Sequence, residues 1–298
     1  MLAQELITTV LDVSSSSAVI DILIPARNEV GRIERCLRSL LEQTFQNFNV
    51  VILDNSSDDS TLDAVCAFVR ENNLSARILQ TTRRLELADA LNILLDQSVA
   101  SFTKFIFADD YLGSDALATL MMPFAIDESV VLTYAERRYF STSGPCSGPT
   151  ASSRMRAAFS AVPDATALVY LGNYFGEPSA TMVRGSAIRK SGLRFDRSLK
   201  QVLDVDLWIR LCMNGRAIRV GGQDLIYISK ERDGETELNI RSCRIFVENL
   251  VLRRRYAPKD WYRLPLTLHV VAFSLLAYRI TRSLIFLLIS QPMPVERI

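Results

Sequence analysis

Histidine is almost missing from this 298-residue chain, with His269 the single example. That argues against histidine-relay catalysis and against a metal site built from several imidazoles. Cysteine is sparse as well: Cys36, Cys66, Cys146, Cys212 and Cys243 are scattered without paired metal-ligand spacing. Most lie in apolar stretches, so reduced thiols in a cytosolic setting are expected. No Gly-rich loop follows the first strand pattern, so a sugar nucleotidyltransferase fits poorly. Met1-Leu2-Ala3-Gln4-Glu5 lacks the basic start of a signal peptide. The Leu-rich first dozen residues, followed by Ser14-Ser15-Ser16-Ser17, predict a short helix and a linker. No internal repeat is apparent.

Net charge is also nearly absent, at +1, but it is unevenly placed. From Arg241 onward ten Lys and Arg face three Asp and Glu, a balance of +7, which leaves 24 against 30, or −6, before it. A basic, hydrophobic tail on an acidic body points to an anionic membrane surface and not to nucleic acid. What is plentiful is apolar residues, at 49%, enough for a large core. The length suits one large domain, or a domain with an appendage.

Residues 19–135 alternate short strand patterns with longer helical ones. Strands are expected over 19–24 (closed by Pro25), 50–53, 76–79, 105–108 and 130–134, and helices over 29–43, 61–70, 87–99 and 114–122. This is the α/β pattern of a mostly parallel sheet flanked by helices. Residues 141–165, rich in Ser, Gly, Pro and Thr, read as a long substrate loop. Order returns over 172–220, with a helix expected over 205–213, and residues 237–256 read as an amphipathic helix. The expected division is 1–18 as an N-terminal extension, 19–235 as the catalytic domain (19–135 and 136–235 as its halves), and 236–298 as a helical, basic region.

The run Lys104-Phe105-Ile106-Phe107-Ala108 stops at Asp109 and Asp110. Read as a strand, it delivers two repelling carboxylates to the sheet edge where open α/β folds bind ligands. A divalent cation carrying a diphosphate suits such a pair, and a solvated loop is the plainer reading. Two other polar turns end strands on that edge. They are Pro25-Ala26-Arg27-Asn28-Glu29 and Asp54-Asn55-Ser56-Ser57-Asp58-Asp59-Ser60-Thr61.

Several longer elements are shared with a known family. Ile24-Pro25 to Asn28, then Ser39-Leu40-Leu41-Glu42-Gln43-Thr44-Phe45, then Asn47 to Thr61 resemble the start of a family 2 glycosyltransferase. Ala88-Asp89-Ala90-Leu91-Asn92 resembles its AxALN element and Ala108-Asp109-Asp110 its DxD variant. Gly176-Glu177-Pro178-Ser179-Ala180 to Arg184, Phe195-Asp196, and Leu203-Asp204-Val205-Asp206-Leu207-Trp208-Ile209-Arg210 resemble its acceptor half. The resemblance spans about residues 20–230 in order. It implies a GT-A fold, a nucleoside-diphosphate-sugar donor, a glycan or lipid-linked acceptor, and inversion at the anomeric carbon. By position it places Pro25, Arg27, Asn28, Asp54, Asn55, Asp109, Asp110 and Lys230 on the donor side, with Asp110 and Asp109 facing a Mn or Mg ion. Glu177, Arg184 and Trp208 fall on the acceptor side, and Asp204 matches the general base. Read without the family, Asp204 is equally well a helix N-cap, and Asp206 a cap or an Arg210 partner.

Departures from the pattern qualify this. Asn55 replaces an acid, Leu203 replaces a frequent Glu, and Tyr227-Ile228-Ser229-Lys230 lacks the usual histidine, which makes the metal the least secure element. Lys230 is either a phosphate ligand in its place or a surface lysine. These changes keep a second reading open, a catalytically weak sugar-nucleotide-binding or scaffolding subunit of a polysaccharide assembly. In the tail, Arg279 and Arg282 interrupt apolar stretches, which disfavours a spanning helix. An interfacial helix on the cytoplasmic membrane face, or one packed on the body or on a second copy in a homo-oligomer, remains.

Overall fold

Largely apolar runs, rich in β-branched residues, supply the central strands. The structure is a computed structural model and describes residues 6–141, 144–146, 160–222, 224–230, 244–259, 264 and 266–289. The strands are β1 (Ile7–Asp12), β2 (Ile20–Ala26), β3 (Phe48–Asp54), β4 (Ala76–Thr81), β5 (Phe102–Phe105) and β6 (Tyr111–Leu112). They continue with β7 (Val130–Tyr134), β8 (Arg137–Ser141), β9 (Gly144–Cys146), β10 (Thr181–Arg184), β11 (Arg216–Arg219) and β12 (Ile226–Ser229). The helices are α1 (Ile33–Leu41), α2 (Thr61–Glu71), α3 (Leu87–Gln97), α4 (Ala116–Ile126) and α5 (Asp164–Leu171). After them come α6 (Gly185–Lys190), α7 (Leu203–Cys212), α8 (Arg244–Tyr256) and α9 (Leu266–Ile289).

One eight-stranded sheet runs in the order β1-β4-β3-β2-β5-β10-β7-β11. Its β4-β3-β2-β5 centre is parallel, β1 and β10 run antiparallel to their neighbours, and β11 is parallel to β7. The mixed α/β class with a mostly parallel sheet is therefore as expected. Strand alternation divides the core. Ile22, Ile24, Val50 and Ile52 face α1, α2 and α4, while Leu23, Val51 and Leu53 face α3, α5 and α7. A second, four-stranded sheet, β6-β12-β8-β9, was not foreseen.

The N-terminal residues correct the expected helix. Ile7, Thr8, Thr9 and Val10 form β1, which pairs with β4 and covers that edge of the sheet. β2 continues through Pro25 to Ala26. The absent Pro25 N–H falls on the β5 side, beyond the last rung (Ile106 N to Leu23 O), so no ladder bond is lost. β5 is a further correction: it ends at Phe105, and Ile106 to Ala108 leave the sheet before the two carboxylates. Ser179 Oγ, on the 3₁₀ turn Pro178–Ala180, accepts the Phe107 N–H at 3.0 Å and stands in for the missing rung.

The loop expected over 141–165 and the first part of the helix expected over 237–256 lie mostly outside the described residues. α9 runs unbroken through Arg279 and Arg282, and no helix among the described residues is long and apolar enough to cross a membrane. Leu252 of α8 and Leu268 and Ala272 of α9 are buried in the same cluster as Leu171 and Trp208, so both helices dock on the body.

Arg184 is not on the acceptor side. β10 runs antiparallel to β5, and Arg184 pairs with Phe102, at the edge opposite the carboxylates. Its guanidinium donates to Val130 O at 2.9 Å, Phe124 O at 3.1 Å and Asp127 O at 3.2 Å, binding the carbonyls where α4 ends. Arg184→Ala should lower unfolding free energy by roughly 2–4 kcal/mol, because it orphans those carbonyls. Denaturant titration and steady-state kinetics should show that loss with KM values unchanged. A KM change at undiminished stability would restore a role in substrate binding.

Candidate functional site

The ends of β2 and β3 are laced together before any ligand is considered. Asn28 and Ser56 both adopt φ 55°, a left-handed conformation that Asn tolerates better than most residues. Asn28 N donates to Ser57 Oγ at 3.0 Å, and Asp58 N donates to Asn28 Oδ1 at 2.9 Å. The Arg27 guanidinium donates to Ser56 O at 2.9 Å and to Asp58 at 3.0 Å. Asp54 is buried and accepts from Ser57 Oγ at 2.5 Å. Asn55 turns away from the groove: its amide exchanges bonds with Leu85, at 2.8 Å from Leu85 N and 2.9 Å to Leu85 O. The side chain that replaces an acid thus pins residue 85 at the entry to α3.

Beside these turns stands a group of carboxylates with few cations. Asp110 is buried and accepts Ser229 N at 2.8 Å from β12. Burial, then neighbouring Asp109, raise its pKa well above the usual range. Asp109 is raised chiefly by burial, against Arg32 and Arg35. Burial also pushes Glu29 up to about 7, with Asp109 adding to it and Arg32, 2.6 Å away, opposing. Beneath them lies Lys104, at 0% exposure, donating to Phe105 O at 2.7 Å and to Ser179 O. Burial pushes its ammonium down to about 7, with Asp110 opposing. The sequence reading passed over Lys104 and Glu29. A lysine inside an apolar strand pattern was itself the available signal.

Across the groove, Glu177 lies close enough to both Asp110 and Asp204 to raise both. It pairs with Arg137 Nε at 2.6 Å and accepts the Tyr139 hydroxyl at 3.1 Å. Lys230 Nζ sits 3.9 Å from the Tyr139 ring centroid, which brings Lys230 to the same wall. Gly176 precedes Glu177 at φ +100°, and a Cβ there would meet Arg137 Nη1 at 2.5 Å, so glycine is required by both backbone and neighbour.

Asp204 lies inside α7, one residue past its start, with Val202 at the N-cap, so it does not cap the helix. Its carboxylate accepts Asn173 Nδ2 at 2.7 Å and Val205 N at 2.8 Å. Burial pushes it up to about 7, with Glu177 adding to this and Arg137 opposing. Asp206 is the expected Arg210 partner, at 2.5 Å. Trp208 is fully buried in the core and lines no open surface. Asn173, Arg137 and Tyr139 were missed, since only tertiary contact joins them to the site.

The edge therefore gathers two strand-end turns, a desolvated acid pair and a carboxylate pushed up to about 7. Residues 21–189, more than half of the chain, match the family described as Glycosyl transferase family 2. The chain belongs to that family. It is 31% identical over 217 residues to an uncharacterized protein of Mycobacterium tuberculosis, covering 69% of this chain and 66% of that one. Over 126 residues it is 29% identical to the chondroitin synthase of Pasteurella multocida, covering 42% of this chain but 13% of that enzyme. The chain thus spans less than two thirds of either relative. Among solved structures, the mannosyltransferase PcManGT from Pyrobaculum calidifontis, in complex with GDP-Man and Mn2+, superposes with TM-score 0.62 at 17% identity, covering 96% of this chain and 80% of that one. That likeness shows the GT-A fold.

The carboxylates give this chain a signed pH dependence. Asp204 binds its proton more tightly folded than unfolded between pH 3.8 and about 7, so its contribution to stability falls as pH rises through that window. Asp204→Asn should therefore raise Tm at pH 8, reflecting relief on the order of 2–4 kcal/mol, and the gain should vanish by about pH 4. Calorimetry of both proteins across pH checks this, and an equal Tm difference at both ends would contradict the buried charge.

Proposed function

We propose that the chain is an inverting glycosyltransferase that moves a sugar from a nucleoside-diphosphate sugar to a hydroxyl acceptor in cell-surface polysaccharide or glycolipid synthesis. The observation that carries this is Asp204, a carboxylate held by Asn173 and poised near neutral pH, across Glu177 from the Asp109–Asp110 pair.

In this reading the acceptor hydroxyl gives its proton to Asp204 as its oxygen attacks the anomeric carbon. The bond from that carbon to the diphosphate oxygen breaks, and its electron pair leaves with the diphosphate. A single displacement from the face opposite the leaving group inverts the centre. Arg27, Asn28 and Asp54 shape the nucleotide side of the cleft, and Lys230 offers a cation to phosphate.

The donor set at Asp109 and Asp110 suits a Mn or Mg ion, since such ions bind one or two carboxylates together with substrate phosphates. Two desolvated adjacent acids with no cation between them fit that group, which would neutralise charge on the leaving diphosphate. Asp109 and Asp110 would hold it. The alternative of a catalytically weak subunit loses ground, because Asn55 and Leu203 have structural employment at Leu85 and in the core.

Transfer of radiolabelled sugar from a donor panel tests the reading. Asp204→Asn should lower kcat by roughly 10²–10⁴-fold while donor affinity stays within about threefold. At saturating donor and manganese, kcat of the parent enzyme should fall about tenfold per pH unit below about 7. Full activity in the variant would remove Asp204 as the base.

The proposed site of action is the cytoplasmic face of a membrane. On α9, Leu266, Val270 and Phe273 share one side and are 76%, 57% and 71% exposed, within the segment that carries the +7 balance. Such a face suits anionic lipid. Vesicles with anionic lipid should co-sediment the protein, less so at high salt, and Phe273→Asp should weaken the association severalfold. Equal binding to neutral vesicles, or a dimer in solution that buries this face, would count against it.

A further inference from the structure

The N-cap residue of α7, which carries Asp204, is Val202, which has no polar side chain to cap the helix; within the first turn only Val205 N finds a side chain, that of Asp204 itself. Helix starts leave such N–H groups to be satisfied from elsewhere. Here a carboxylate from α8 binds the N-cap amide and the two amides before it. Glu248 is 7% exposed, and its oxygens accept Lys200 N at 3.0 Å, Gln201 N at 2.8 Å and Val202 N at 3.2 Å. A negative group before a helix start is also favoured by the peptide dipoles.

The same helix grips both flanks of this segment. Arg255 reaches Asp196 at 2.6 Å, upstream of the three amides. The Tyr256 hydroxyl donates to Asp206 at 2.7 Å, downstream of them and two residues past Asp204. On the other side, Arg197 pairs with Asp89 at 2.6 Å and Lys200 Nζ with Glu86 at 2.7 Å, tying the segment to α3. The backbone that aims Asp204 is therefore held between α3 and α8, and Glu248 supplies its main-chain contacts on the N-terminal side. One polar carboxylate buried for three main-chain amides is costly unless their position matters.

Resting on the assignment of Asp204 as the base, we propose that Glu248 is a positioning residue for it. The C-terminal helix pair is then part of the catalytic machinery as well as a membrane-facing appendage. Glu248 touches no substrate. It fixes the amides of residues 200–202, and through them the orientation of the Asp204 carboxylate toward the acceptor hydroxyl. A small misplacement of a base is expected to lower kcat strongly while leaving the nucleotide side of the cleft intact.

The test compares Glu248→Ala with Leu252→Ala, a core truncation on the same helix that should cost at least as much stability. At a temperature well below both midpoints, Glu248→Ala should lower kcat about tenfold or more with donor KM within about threefold. Leu252→Ala should keep kcat within about twofold of the parent. Hydrogen exchange supplies a readout independent of turnover: the amides of Lys200, Gln201 and Val202 should exchange at least about tenfold faster in Glu248→Ala than in Leu252→Ala. Unchanged exchange at those amides, kcat retained in Glu248→Ala, or an equal loss of kcat in Leu252→Ala would each overturn the proposal. Failure of the underlying assignment has a different signature, full activity of Asp204→Asn, and it leaves the exchange result standing.

Discussion

Everything at the functional edge depends on one electrostatic constraint: carboxylates are kept from water without an equal number of cations. Glu29, Asp109, Asp110 and Asp204 are all raised, and in each case burial is the largest cause. The sheet makes this possible. Parallel strands bring their C-terminal turns to one edge, and the second sheet closes over it, with Ser229 N of β12 bonding Asp110. Such an arrangement is expensive for the carboxylates alone and becomes favourable when positive charge or protons are added. A structural ion-pair network would show the opposite bias, with acids lowered by paired arginines. That pattern is seen at half-buried Asp196, which its bonds to Ser198 and Arg255 lower against the effect of burial.

How far this was legible from sequence differs by element. The β2, β3, β4 and β7 strands were readable because their apolar runs are short and β-branched, and the two polar turns follow them directly. β5 was misjudged, since Ile106-Phe107-Ala108 continues the apolar pattern after the pairing has ended. What ends it is the 3₁₀ turn at Pro178–Ala180, more than 70 residues away, which captures Phe107 through Ser179. β1 was misread as a helix because the first dozen residues are rich in leucine and a serine run follows them. The open edge of β4 decides the matter, and a single sequence does not show which edge is open.

The site divides along the same line. Asp54, Asp109, Asp110 and Asp204 stand out in sequence because each sits in a run of recognisable spacing. The resemblance to family 2 glycosyltransferases gave them roles that spacing alone left open. Arg184 failed because it belongs to the quoted motif but lies at the far end of an antiparallel strand, where it closes α4. Asn173, Arg137 and Tyr139 carry no local signal at all. Each becomes visible only when β8, the turn before the 3₁₀ segment and α7 are brought together. Glu248 belongs to this class too, and it joins the catalytic half to a tail that composition had set apart.

The arrangement also fixes how the two halves of the cleft communicate. Glu177 is the only described carboxylate that raises both Asp110 and Asp204, and its own tether, Arg137, opposes the rise at Asp204. Lys104 is bound to main-chain carbonyls beneath Asp110, and burial weakens its hold on its proton there. Positive charge gathered at the Asp109–Asp110 pair and the negative charge of Glu177 therefore act in opposite senses on Asp204. On the proposed assignment of Asp204 as the base, a pKa that answers to charge on the donor side suits a reaction in which the acceptor is deprotonated only once a leaving group is in place. That coupling needs no moving part. It follows from placing one shared carboxylate between two desolvated sites on a rigid sheet edge.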